Sequence, residues 1–274
     1  MRSIDAVPRA QHRLVFESFG VILEVAIEDR ALFDSLPTVL PPGWRPSNDE
    51  AAGRFALAGD GTIALDGAEV APGRGDLGAS LLRLGATVRH HVALHAPAHV
   101  FVHAGVVSAG GTSIVIPGSS QSGKTTLVAE LVRAGATYYS DEYAPVDSEG
   151  MIQPYAKPLS IRQPGREGPG ALHPVPEERI GRRPLRAGLV VVTSYEAGAT
   201  WRPTACTGGE GALALLRHTV AARTRPTEAL AAVCGLAREG RVIAGVRGDA
   251  SGIADALLDA AGEAGADSAR ALTS

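Results

Sequence analysis

Ile114-Val115-Ile116-Pro117-Gly118-Ser119-Ser120-Gln121-Ser122-Gly123-Lys124-Thr125-Thr126 runs a short apolar strand into Gly-x-x-x-x-Gly-Lys-Thr. This pattern between a strand and a helix is that of a phosphate-binding loop. Its glycines let the backbone close into a cradle of N–H groups, Lys124 adds a point charge, and Thr125 offers a hydroxyl to Mg²⁺. The helix predicted over residues 123–134 then aims its positive end at the same anion. Gly118, Ser119, Ser120, Gln121, Ser122, Gly123, Lys124, Thr125 and Thr126 are therefore the expected nucleotide contacts, with a nucleoside triphosphate and Mg²⁺ as ligands. Lysine occurs only at Lys124 and Lys157, so a chance match to a motif that requires lysine is rare.

At 274 residues and 45% hydrophobic content, the chain is long enough for one large or two modest domains. A net charge of -3 supplies no general attraction to nucleic acid or to an anionic membrane. No apolar run reaches transmembrane length, and Met1 to Gln11 mixes charges with Pro8, so a cytoplasmic protein is expected. Cys206 and Cys234 match neither a zinc pattern nor a disulfide framework and are expected to be buried and inert. A homo-oligomer is compatible with such a chain.

Around the loop, period and turn signals predict the organisation. A strand-length apolar run, Phe19 to Ile27, precedes a short helix over 31–40. Strands flanking Gly59-Asp60-Gly61 form a hairpin, and Asp66-Gly67 marks another turn. Asp76 caps a helix with Leu77, Leu81, Leu84, Val88 and Val92 at helical spacing up to Pro97. These elements predict a small α+β domain over residues 1–97. Residues 98–274 form a second, phosphate-loop domain. It opens on a hairpin whose second strand leads into the loop, and the helix that follows returns through a strand, 137–140, to Asp141-Glu142. Residues 163–187 are rich in Pro, Gly and Arg and read as a long mobile loop. Leu189 to Thr193 reads as a central strand, followed by helices over 210–223 and 227–239, a last strand over 241–246 and a closing helix.

Three features resemble the HPr kinase/phosphorylase superfamily across residues 100–162. They are His103-Ala104-Gly105-Val106 on the strand before the loop, the loop itself, and Asp141-Glu142, at the family's interval from Lys124. The resemblance implies an α/β fold with a phosphoenolpyruvate-carboxykinase-like phosphate-loop kinase core. It implies transfer of the γ-phosphoryl group of ATP to a hydroxyl, with Asp141 as base, His103 beside it, Lys124 on the phosphates, and Glu142 with Thr125 holding Mg²⁺. Arg162, at the family's Ile-Arg position, would clamp a phosphate or acceptor oxygen. Gln121, Thr125, Glu142 and Gln163-Pro164-Gly165 depart from the family pattern, which implies a divergent member with another acceptor; the family comparison itself points to a serine of a peptide or protein. A small-molecule kinase, a simple NTPase using Glu196, and a nucleotide-binding regulatory module are the alternatives. His91, His95, His99 and His103 recur every fourth residue, but Pro97 interrupts any common helical face.

Overall fold

The computed structural model describes residues 12–73, 75–119, 122–161 and 171–271. They belong to the α/β class and divide into two compact units that meet in sequence at Ala98/His99.

In the first unit, β1 (His12–Ser18) and β2 (Val21–Ile27) form a hairpin turned at Phe19-Gly20. The apolar run from Phe19 is therefore a turn followed by a strand. After α1 (Arg30–Ser35) come β3 (Arg45–Pro46), β4 (Gly53–Leu57), β5 (Ile63–Leu65) and β6 (Ala68–Ala71). They complete a sheet of order β3-β1-β2-β4-β5-β6. The predicted helix over 31–40 is shorter, because Pro37 tightens its second half into a 3-10 turn. α2 (Leu77–His95) is capped by Asp76, whose carboxylate accepts from Ala79 N, and it buries Leu81, Leu84, Val88 and Val92. Those positions recur every three or four residues, so one face of α2 is apolar and packs on β4.

The second unit is built on β7 (His99–Ala109), β8 (Thr112–Pro117), β9 (Thr137–Ser140), β10 (Tyr143–Asp147), β13 (Leu189–Tyr195), β14 (Thr204–Ala205) and β15 (Arg241–Arg247). The sheet order is β10-β7-β8-β13-β15-β14, with β9 also paired to β7. β8, β13 and β15 run parallel, whereas β7 is antiparallel to β8, β9 and β10. Alternate residues on these strands face opposite sides. Ile114, Ile116, Leu189 and Val191 pack with Leu127, Val128 and Leu131 of α3 (Lys124–Arg133) and Leu257 of α6 (Ala254–Ala271). Val115, Val190 and Val242 pack on the other side with Leu215 of α4 (Gly208–Leu216) and with Val233 and Leu236 of α5 (Pro226–Glu239). Helices thus cover both faces, which is why the central strands are apolar throughout.

Two expected elements differ. α4 ends at Leu216 because the next residues return to the sheet, where Thr219 bridges Val102 and Val220 N donates to Phe101 O. The described part of the expected loop, residues 171–187, carries structure. β12 (Ala171–His173) pairs with β11 (Leu159–Ile161), Ile180 bridges Tyr138, and Leu185 bridges Ile152. These residues pair with backbone that would otherwise form an open sheet edge. Of its arginines, Arg182 pairs with Glu177 and Arg179 donates to Gly135 O, so both have local partners. Residues 162–170 lie outside the described residues. Cys206 is half-buried and Cys234 exposed, both as free thiols, which corrects the expectation of two buried cysteines. Among the described residues no helix is long and apolar enough to cross a membrane.

Candidate functional site

The loop leaves β8 at Pro117 and enters α3 at Lys124. Gly123, the N-cap of α3, has a left-handed φ of 77°, and a Cβ there would collide with the guanidinium of Arg247. Only glycine meets both demands. Lys124 is 7% exposed, and its Nζ donates to Gly118 O at 2.6 Å and Ser119 O at 2.7 Å. Burial pushes its pKa down to about 8, against the opposing pull of Asp141 and Glu142. Arg247, 3% exposed at the end of β15, donates through Nη2 to Ser122 O at 3.3 Å and Gly123 O at 3.2 Å. Two buried cations therefore hold four loop carbonyls.

Asp141 stands on the other flank. The chain passes from β9 to β10 in a turn where Ser140 Oγ accepts from Glu142 N at 3.1 Å and Tyr143 N at 3.0 Å. The Asp141 side chain is 2% exposed. Its Oδ2 accepts from Thr125 Oγ1 at 3.0 Å, and its Oδ1 from Lys157 Nζ at 2.8 Å and Tyr138 Oη at 3.1 Å. The Lys157 ammonium also lies 3.7 Å from Glu142 Oε2, between the two carboxylates. Tyr138 Oη lies 2.9 Å from Lys157 O as well, so its single proton serves one acceptor at a time. Burial and the nearby Asp141 charge push the Tyr138 phenol well up, which keeps it a donor.

His103 lies on β7 between these flanks. Its carbonyl accepts from Gly118 N at 3.1 Å, and the next residue, Ala104, donates to Glu142 O at 3.2 Å. Its ring lies 4.4 Å from that of Tyr143. The fold therefore brings together the loop residues Gly118, Ser119, Ser122, Gly123, Lys124, Thr125 and Thr126 with Asp141, Glu142 and His103. Ser120, Gln121 and Arg162 lie outside the described residues. Glu196 is exposed after β13, with its N–H bonded to Arg247 O at 2.9 Å.

A cavity of about 650 Å³ opens across the loop toward the carboxyl ends of β13 and β15. Its wall includes Gly118, Ser122, Thr126, Tyr195, His218 and Arg247. Sequence reasoning missed Arg247 and Tyr195, left Arg217-His218 open between facing the site and an exposed polar helix face, and passed over Lys157 as a ligand of Asp141. Rarity was an available signal for Lys157, because it is one of only two lysines. Arg247 and Tyr195 carry no local signal, since only the parallel register of β13 and β15 aligns them. His218 is half-buried, and its pKa is lowered by burial, then by Lys124 and Arg217.

Among the described residues, Ser122 Oγ and Arg247 Nε are buried without a partner. An orphan hydroxyl on the glycine loop and an orphan N–H on the guanidinium packed against that loop fit a phosphate that would accept from both. Thr125 and Glu142 suit Mg²⁺, which takes one or two carboxylates and completes its shell with phosphate and water. No separate metal cage is needed, and among the described residues no group of three or more His, Cys, Asp or Glu is placed to hold a metal ion. A scan of family models finds no match for the chain, and neither does a search of curated proteins.

Proposed function

We propose that the protein is an ATP-dependent kinase, a divergent relative of the HPr kinase/phosphorylase superfamily, that transfers the γ-phosphoryl group to a hydroxyl, in first place a serine of a peptide or protein. The observation that carries this reading is the 3.0 Å hydrogen bond from Thr125 Oγ1 to Asp141 Oδ2. The hydroxyl expected on Mg²⁺ and the carboxylate expected beside it come from different elements, yet meet at one point.

Mg²⁺ would supply charge neutralisation between the β and γ phosphates. The protein's residues have separable tasks. Lys124 exchanges its loop carbonyls for phosphate oxygens, and Arg247 and Ser122 take up further phosphate oxygens. Asp141 orients the acceptor hydroxyl and receives its proton, while Lys157 balances the carboxylate charge and swings toward the transferred group as the Asp141 proton arrives. His103, on the strand that joins the flanks, assists. Water activation by Glu196 gains no support from an exposed side chain outside the cavity wall.

Turnover of γ-labelled ATP tests the reading. Label on a serine-bearing peptide or protein is the expected result. Label released only as free phosphate would replace the kinase with an NTPase, and no turnover despite binding would leave a nucleotide-responsive module. Lys124→Ala should lose ATP binding and keep the fold.

A further inference from the structure

The loop has a direction. Lys124 reaches the β and γ phosphates and Thr125 the metal, and Thr125 is tied to Asp141 on the β9 flank. The nucleoside end of a bound triphosphate must leave by the opposite flank. The cavity lies on that side, with Thr126, the next residue along α3, in its wall and neither Thr125 nor Asp141 among its lining residues. Its volume of about 650 Å³ falls inside the range of small-molecule sites, about 300–1,000 Å³.

Tyr195 is part of the cavity wall. It ends β13, is 54% exposed, and is aligned by parallel register with Arg247. The Arg247 guanidinium lies 5.4 Å from the ring centroid, so one face of the ring is backed by a cation whose other N–H groups hold the loop. Tyr195 lines the cavity, and more than half of the residue is exposed. An aromatic ring half in solvent, fixed from behind and reached by the same cavity as a phosphate loop, is a stacking platform. Asp249 and Ser194 also line the cavity and suit the hydroxyls of a ribose.

We propose that this cavity takes the nucleoside of the triphosphate, with its base stacked on the open face of Tyr195 and Arg247 joining that platform to the phosphate loop. The assignment rests on the phosphate-loop reading above and adds the subsite for the base. It gives Arg247 one direct contact with the ligand, the phosphate through its orphan Nε, and an indirect one, as the support behind the Tyr195 ring that stacks the base. Stacking accepts any base with an open π-face, so the site selects a nucleoside over a bare polyphosphate more strongly than one base over another.

Calorimetry on the full chain tests this, with Mg²⁺-ATP and Mg²⁺-tripolyphosphate as paired probes against wild type, Tyr195→Ala and Tyr195→Phe. Tyr195→Ala should weaken ATP about 10-fold and leave tripolyphosphate unchanged, while Tyr195→Phe binds both as wild type does. Tyr195 is exposed at a strand end, so the variants should fold, and melting curves check it. Undiminished ATP affinity in Tyr195→Ala overturns the subsite, and so does an equal loss for both probes, which would place Tyr195 with the phosphates. If wild type binds neither probe, the phosphate-loop reading itself falls and takes this inference with it.

Discussion

Lys124 carries a charge that the folded protein tolerates poorly until an anion arrives. Its pKa stands at about 8 against an ordinary 10.5 because burial disfavours the ammonium. Between those values the unfolded chain binds the proton that the folded chain has released, so ligand-free stability rises with pH through that window. Phosphate restores the charge. ATP binding near pH 8.5 should therefore take up a proton and weaken as pH rises further, which calorimetry in two buffers of different ionisation enthalpy will read. The Asp141–Lys157 pair sets a second expectation. Asp141→Asn should lower transfer about 10²- to 10⁴-fold and also cost stability, because removing one member of a buried pair leaves the other uncompensated. Lys157→Met alone should be destabilising by about 3–5 kcal/mol. The double variant should regain part of that stability without regaining transfer, as denaturation and turnover measured together would establish. Recovery of activity in the double variant would remove Asp141 from the chemistry.

At the scale of elements, β7 fixes the geometry. It pairs with β8 through Ala104↔Pro117, with β10 through His103↔Tyr143 and with β9 through Val106↔Ser140. The loop and the acidic turn are thus set against neighbouring residues of one strand. Gly105 lies between those pairings, and a Cβ there would stand 2.5 Å from Val128 Cγ2 of α3. Gly105→Ala should push α3 away from β7, cost about 1–3 kcal/mol and lower ATP affinity, since α3 begins with Lys124; melting and calorimetry on the same sample will test both. The hairpin, the loop, α3 and the return strand were legible because each has a local signal: a Gly-Gly turn, a motif, a 3.6 period and a short apolar run. β10 and β14 were not, because their partners lie far along the chain. The 163–187 segment misled because Pro and Gly argue against regular structure, while its described part, residues 171–187, gains pairing from edges that only the folded sheet creates. Tyr195 and Arg247 were invisible for the same reason as β14.

For the whole molecule, the division at Ala98/His99 puts every described candidate residue in the second unit. Residues 99–274 produced alone should therefore bind ATP with the affinity of the full chain, by calorimetry; a lost or much weaker site would assign the first unit a part in nucleotide binding. Charge is distributed in a comparable way. Of 26 Lys and Arg residues only Lys124 and Lys157 are lysines, and both act on Asp141, one through space and one by direct contact. The chain's side-chain amines are thus confined to its candidate site. Acylating and methylating reagents that decorate the surface of most proteins would here find side-chain amines at one location, beside the α-amine that every chain carries. A lysine-selective isotope label would reduce the spectrum of the chain to two signals, one for each flank of the phosphate loop.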